Sequence, residues 1–247
     1  MTRPFAAELL KLRTLRSTWG FVLVALAFAG LVTTGHIGDT PGTERLDPEF
    51  QFRLVLDAAF PASVLALLLG ITLVTNEFRH GTIARTLLAT PRRARFVAVK
   101  LLTGAATGAA LMGAMLFVVI VTAVIWLEAV DVSLEPAEAA DGIGRALLVT
   151  ALAGTLGAAI GGAVHSQVGA LVGALLWIFV LEPICWVVLG LLDLDGVAEY
   201  LPAASLGGAV DSTNDTQTWA RSVSVALGWT ILASVLALLR TRKRDIT

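Results

Sequence analysis

Six long apolar runs organise this chain, at roughly residues 19–34, 55–75, 96–127, 145–164, 168–192 and 220–239. A helix needs about 20 apolar residues to cross the hydrocarbon of a bilayer. The runs are continuous rather than alternating at every second position, which excludes membrane strands. The pattern therefore predicts an all-α membrane protein, with residues 1–247 forming a single transmembrane domain of six helices. The third run is longer than one crossing needs, so it is expected to tilt or to project beyond the bilayer.

Composition supports the same class. Hydrophobic residues make up 56% of the chain and charged residues 15%, and mean hydropathy is +0.81. A soluble domain carries about 25% charged residues. The lone cysteine, Cys185, sits inside an apolar run. It has no partner for an intramolecular disulfide and reads as a small buried apolar residue. The first run has a basic leader and an Ala27-Phe28-Ala29 stretch resembling a signal-peptide cleavage site. The leader is long for a signal peptide, and a retained membrane helix is the expectation.

Net charge is only −1, but its distribution is strongly sided. The N-terminal arm, the second connection and the tail together carry fourteen Lys and Arg residues, and the intervening connections carry four. Those intervening connections are acidic instead, over residues 39–57, 128–141 and 193–215. Cytoplasmic loops hold the excess of Lys and Arg. Both termini and the second connection are thus expected in the cytoplasm of a bacterial plasma-membrane protein.

Two of the basic segments also carry apolar faces. In the arm, Phe5, Leu9, Leu12 and Trp19 fall near one helical face, into which Arg16 intrudes. An arginine there can snorkel to headgroups, so an interfacial helix is predicted. The second connection begins Glu77-Phe78-Arg79-His80-Gly81-Thr82-Ile83 and continues to Leu87-Leu88-Ala89-Thr90-Pro91. Gly81 is placed to end the second span. Thr90-Pro91 is a helix start, with a threonine N-cap followed by proline at the first helical position. Between them, Ile83 and Leu87 are one turn apart on a short helix. The arginines account for sidedness, whereas Ile83, Leu87 and Leu88 require headgroups or a protein groove to cover them.

This connection, from Glu77 through Pro91-Arg92-Arg93 and on to Lys100, resembles the cytoplasmic signature of ABC-2-type permeases, the six-span membrane subunits of ATP-binding-cassette exporters. Glu182-Pro183 and Tyr200-Leu201-Pro202 are similar to actinobacterial members. The resemblance implies that Glu77 through Pro91 form a coupling helix seated on an ATPase subunit. It further implies two ATPase copies, a second permease that is identical or homologous, surrounding lipid, and no nucleic acid. The substrate path would lie between protomers near spans one, two and five. Short re-entrant helices before the last span would close the outer mouth, with Val197–Leu206 as the candidate segment.

Other motifs are absent or weak. The chain has no G-x-x-x-x-G-K-[ST], H-E-x-x-H or G-x-S-x-G sequence. The chain therefore does not bind ATP through a Walker A loop; the resemblance implies ATP hydrolysis on a separate subunit, and no cofactor is implied. His36, His80 and His165 are spread across both predicted sides, which disfavours a shared metal site. His165 reads as a solvated turn residue. Gly104 and Gly108, then Ala153, Gly157 and Gly161, then Gly169 and Gly173 recur at four-residue spacing. Such faces let helices approach closely within the chain or across a dimer. Glu182 is the ionisable residue placed inside a span, with Pro183 expected to kink the helix there. It reads either as a lining or switching residue of a substrate path or as a protonated glutamate bonded to a neighbouring helix. An ATP-independent transporter or channel, and a membrane anchor that recruits a cytoplasmic protein, are the rival functions.

Overall fold

The structure is a computed structural model that describes residues 5, 8, 10, 16–39, 53, 56, 58–81, 93–128, 136–211 and 216–242. Six spans are formed by helices α1 (Arg16–Asp39), α2 (Ala59–Arg79), α3 (Arg93–Glu128), α4 (Pro136–Val164), α5 (Gln167–Leu191) and α8 (Thr216–Arg242). Two short helices, α6 (Asp195–Ala198) and α7 (Pro202–Val210), lie between α5 and α8. No strand occurs among the described residues. The chain is an all-α, multi-pass membrane protein. Helix α3 has 36 residues, about 54 Å at 1.5 Å per residue, so it outreaches one crossing as its sequence predicts.

Helix α4 is the hub and packs against α2, α3 and α8, while α1 lies mainly on α3. Water is not the force that holds these helices together inside lipid, because the surrounding tails are as apolar as leucine. Close backbone contact takes its place. A Cβ added at Gly157 would fall on the backbone carbonyl of Leu67 in α2, and one at Gly108 on that of Thr150 in α4. Gly104 and Gly154 face each other in the same way, and a Cβ at Gly161 would lie 2.8 Å from the Ile71 oxygen. Thus the repeats of small residues in spans three and four serve packing within the chain. Those of span five do not. A Cβ at Gly173 would meet nothing within 4 Å, and Gly169 faces only its own turn. Buried hydroxyls cause no conflict with the apolar core, since Thr72, Thr75, Thr103 and Thr150 donate to carbonyls three or four residues earlier.

This contrast yields a paired prediction. Gly157→Ala is expected to destabilise the protein by about 1–3 kcal/mol, the usual cost of overpacking. Gly173→Ala, with open space around it, is expected to be neutral or stabilising by up to about 1 kcal/mol through helix propensity. Thermal unfolding of both purified variants checks the difference in sign.

Helix α2 ends as its sequence predicts. His80 donates its backbone N–H to the Asn76 carbonyl and Gly81 to that of Phe78, with Gly81 at φ +64°. A left-handed residue just past the last turn suits glycine and turns the chain out of the helix.

Helix α5 is more irregular. Residues Trp177–Leu181 form a π-helical turn directly before Glu182-Pro183. Proline has no N–H for the carbonyl four residues earlier, and its ring crowds that carbonyl. Widening the preceding turn relieves this conflict, and the Glu182 N–H donates to the Trp177 carbonyl five residues back. The kink predicted at Glu182-Pro183 thus takes the form of a π turn. Helix α5 is also poorly covered, with Val168, Phe179, Val187 and Leu191 all exposed and Cys185 only half-buried.

Candidate functional site

Among the described residues, the buried charged side chains fall into two places, Glu8, Glu77 and Lys100 in one and Glu182 in the other. At the end where α2 leaves and α3 enters, Lys100 of α3 is buried between two carboxylates. Its Nζ lies 2.8 Å from Glu77 Oε1 and 2.5 Å from Glu8 Oε2, and all three side chains are under a tenth exposed. The Phe96 ring, one turn earlier on α3, adds a cation–π contact at 5.8 Å. Glu77 stands in the last turn of α2, where the negative end of the helix dipole disfavours a carboxylate. Lys100 is what offsets that charge.

Both flanks of the second connection are consequently tied to each other and to the N-terminal arm. Phe78 packs edge-on against His165, with ring centroids 4.4 Å apart. His165, at φ +61° in the turn between α4 and α5, is half-buried on an aromatic ring rather than solvated. Arg79 donates to Gln167 at the start of α5 at 3.1 Å, and His80 Nδ1 lies 2.8 Å from the Asn76 carbonyl. From the same end of α8, Arg240 donates to the Ala163 carbonyl at 2.8 Å. Of the proposed docking residues, Glu77, Phe78, Arg79, His80 and Gly81 are therefore brought together. Thr82, Ile83, Leu87, Leu88 and Pro91 lie outside the described residues.

Glu8 had no role in the sequence reading, which followed Phe5, Leu9 and Leu12 around the arm. The signal was nevertheless present. Glu8 follows Phe5 by three residues and precedes Leu12 by four, so it shares their helical face. A carboxylate in the middle of an apolar face requires a buried partner. Glu8 is buried while Leu10 is 64% exposed, and of the arm before Arg16 only Phe5, Glu8 and Leu10 are among the described residues.

The second place centres on Glu182. Its Oε2 accepts from Trp177 Nε1 at 2.6 Å and from the Ala203 N–H at 3.0 Å, while Oε1 accepts from the Ala204 N–H. The π turn makes the first contact possible. In a regular α-helix, residues five apart point in different directions, and the wider turn brings Trp177 and Glu182 onto one side. The other two donors are the first free N–H groups of α7 behind Pro202, so Glu182 caps a helix from which it is remote in sequence. The positive end of the α7 dipole reinforces the contact. All three partners are donors. That arrangement satisfies both carboxyl oxygens with N–H donors and ties Glu182 to a neighbouring helix. The Glu182 side chain is 3% exposed and also borders a cavity.

The candidate re-entrant segment at 197–206 is interrupted. Helix α6 stops at Ala198 and α7 starts at Pro202, with Leu201 extended at φ −72° and ψ 153°. A residue before proline is driven out of the helical region, so one helix could not run through Tyr200-Leu201-Pro202. The break is held at both sides. Arg221 of α8 pairs with Glu199, and Trp229 Nε1 donates to the Tyr200 carbonyl at 2.9 Å. Helix α7 then packs against α8, α4 and α2, with Ser205, Leu206, Ala209 and Val210 buried.

No group of His, Cys, Asp and Glu residues suited to holding a metal occurs among the described residues. Compared with known proteins, the chain matches no family model and no curated protein sequence.

Proposed function

We propose that this chain is the membrane-spanning permease subunit of an ABC-2-type exporter, driven by ATP hydrolysis on a separate subunit. The observation that carries the reading is the Glu8–Lys100–Glu77 cluster. Glu77 and Lys100 belong to the signature that resembles this family, and they stand on the two flanks of the connection assigned to ATPase docking. A docking element transmits force only if its roots are fixed. Here the roots are bonded to each other and to the arm, so a load on residues 82–92 moves α2, α3 and the arm together. Both termini and this connection would face the cytoplasm of a bacterial cell. The uncovered apolar side of α5 suits lipid or the second permease.

The test is reconstitution with a candidate ATPase subunit in proteoliposomes. ATP-dependent flux is expected with the parent chain. Ile83→Asp and Leu87→Asp, which place charge on the apolar docking face, are expected to abolish both co-purification of the ATPase and flux. Retention of both activities in the double variant would overturn the assignment. Flux that persists without ATP and collapses with an ionophore would favour the ion-coupled alternative.

A further inference from the structure

Two cavities flank the contact between Glu182 and α7, and they differ sharply in chemistry. One, of about 290 Å³, is a fissure between α5 and α8, floored by Leu156 and Ile160 of α4 and roofed by Leu206 of α7. Its walls are otherwise apolar side chains such as Trp177, Leu232 and Leu236. An apolar cavity of about 150 Å³ stays dry and takes up benzene. The fissure is roughly twice that size, enough for an alkyl chain or fused rings.

The other cavity, of about 450 Å³, is a vestibule bordered by Glu182, Glu199, Asp211 and Arg221, with Phe60 and Trp186 beside them. Among the described residues that line it, three carboxylates stand against one guanidinium, a net negative formal charge. Arg221 is engaged by Glu199, and Asp211 follows the last turn of α7, where the helix dipole adds further negative potential. Trp186 and Phe60 supply the ring faces to which an ammonium group is attracted. Ile178 and Ala203 line both cavities, so the two adjoin at the Trp177–Glu182–Ala203 seam.

We propose that fissure and vestibule form one two-compartment site for a cationic amphiphile, with its apolar tail in the fissure and its ammonium group in the vestibule. A neutral apolar molecule fills only one compartment, and an anionic amphiphile meets the wrong sign in the other. The site belongs to this chain alone and does not depend on the permease reading, so binding is measured without an ATPase.

The experiment uses the full chain in nanodiscs, with radiolabelled dodecyltrimethylammonium as the probe and empty nanodiscs subtracted for partitioning into lipid. Saturable binding is expected. Dodecyl sulfate and tetramethylammonium are expected to bind at least about tenfold more weakly. Leu236→Trp, which fills the fissure from its half-exposed rim, is expected to weaken the probe about tenfold, with Leu232→Trp as a second filling variant should the first fail to fold. Asp211→Asn is expected to weaken the probe about fivefold without changing binding of dodecanol. Equal binding of dodecyl sulfate, or binding unmoved by both the filling and the charge variants, would overturn the proposal.

Discussion

Lys100→Met is expected to destabilise the protein by about 3–5 kcal/mol, the cost of leaving a buried charge without its partner. The lysine is buried with Glu8 and Glu77 on either side, and its loss confines two carboxylates together with no cation between them. Their mutual repulsion adds to the desolvation that Lys100 had offset. A companion variant, Glu8→Gln with Glu77→Gln and Lys100→Met, removes every charge at once. Replacing a whole buried ionic cluster by neutral residues is often nearly free, so this triple variant is expected to recover most of the lost stability. Chemical or thermal unfolding in detergent checks both. A triple variant as unstable as Lys100→Met would show that packing, not charge pairing, is what Lys100 contributes.

The same pair of variants separates structure from function. If the cluster only holds the fold, the triple variant regains activity along with stability. If it fixes the roots of a force-transmitting connection, the triple variant folds but its ATPase partner hydrolyses ATP without flux. Glutamine and methionine fill the volume but do not clamp α2, α3 and the arm with charge-assisted bonds.

The architecture was largely readable from the pattern of apolar runs because a bilayer imposes helix length and internal hydrogen bonding on any span. The end of α2 was legible at Gly81 for a local reason, the left-handed turn. The glycine spacings identified close contact for α3 and α4 but not for α5, because spacing says that a helix can be approached and not which neighbour approaches it. Glu77 and Lys100 were visible as charges of a signature, but their pairing was not, since 23 residues and a connection separate them in the chain. The phenylalanine that covers His165 is more remote still and leaves no local trace. By contrast, the break within 197–206 was written in the sequence, because Pro202 alone forbids a continuous helix through Leu201. The π turn is an intermediate case: Pro183 forecasts a disturbance, while its form depends on which side of α5 must present Trp177 to Glu182.

Glu182→Ala is expected to release α7 from α5 and to cost at least about 4.5 kcal/mol, since hydrogen bonds to a charged group contribute about 1.5–3 kcal/mol each and three are lost. Alanine leaves the Trp177 indole and the Ala203 and Ala204 N–H groups facing one another with no acceptor. Glutamine is not expected to rescue. Its single oxygen could replace Oε2, which serves Trp177 and Ala203, but its NH₂ would then oppose the Ala204 N–H, donor against donor. Aspartate keeps the charge but falls short by one methylene, so partial recovery is expected there. Hydrogen exchange over 202–210 distinguishes local release from global unfolding. Amides of α7 should lose protection in Glu182→Ala and Glu182→Gln, while those of α4 at 153–160 retain it. Loss of protection in both regions together would mean that Glu182 supports the whole bundle. Unchanged protection of α7 would mean that its packing on α8 and α4, rather than the carboxylate cap, holds it in place.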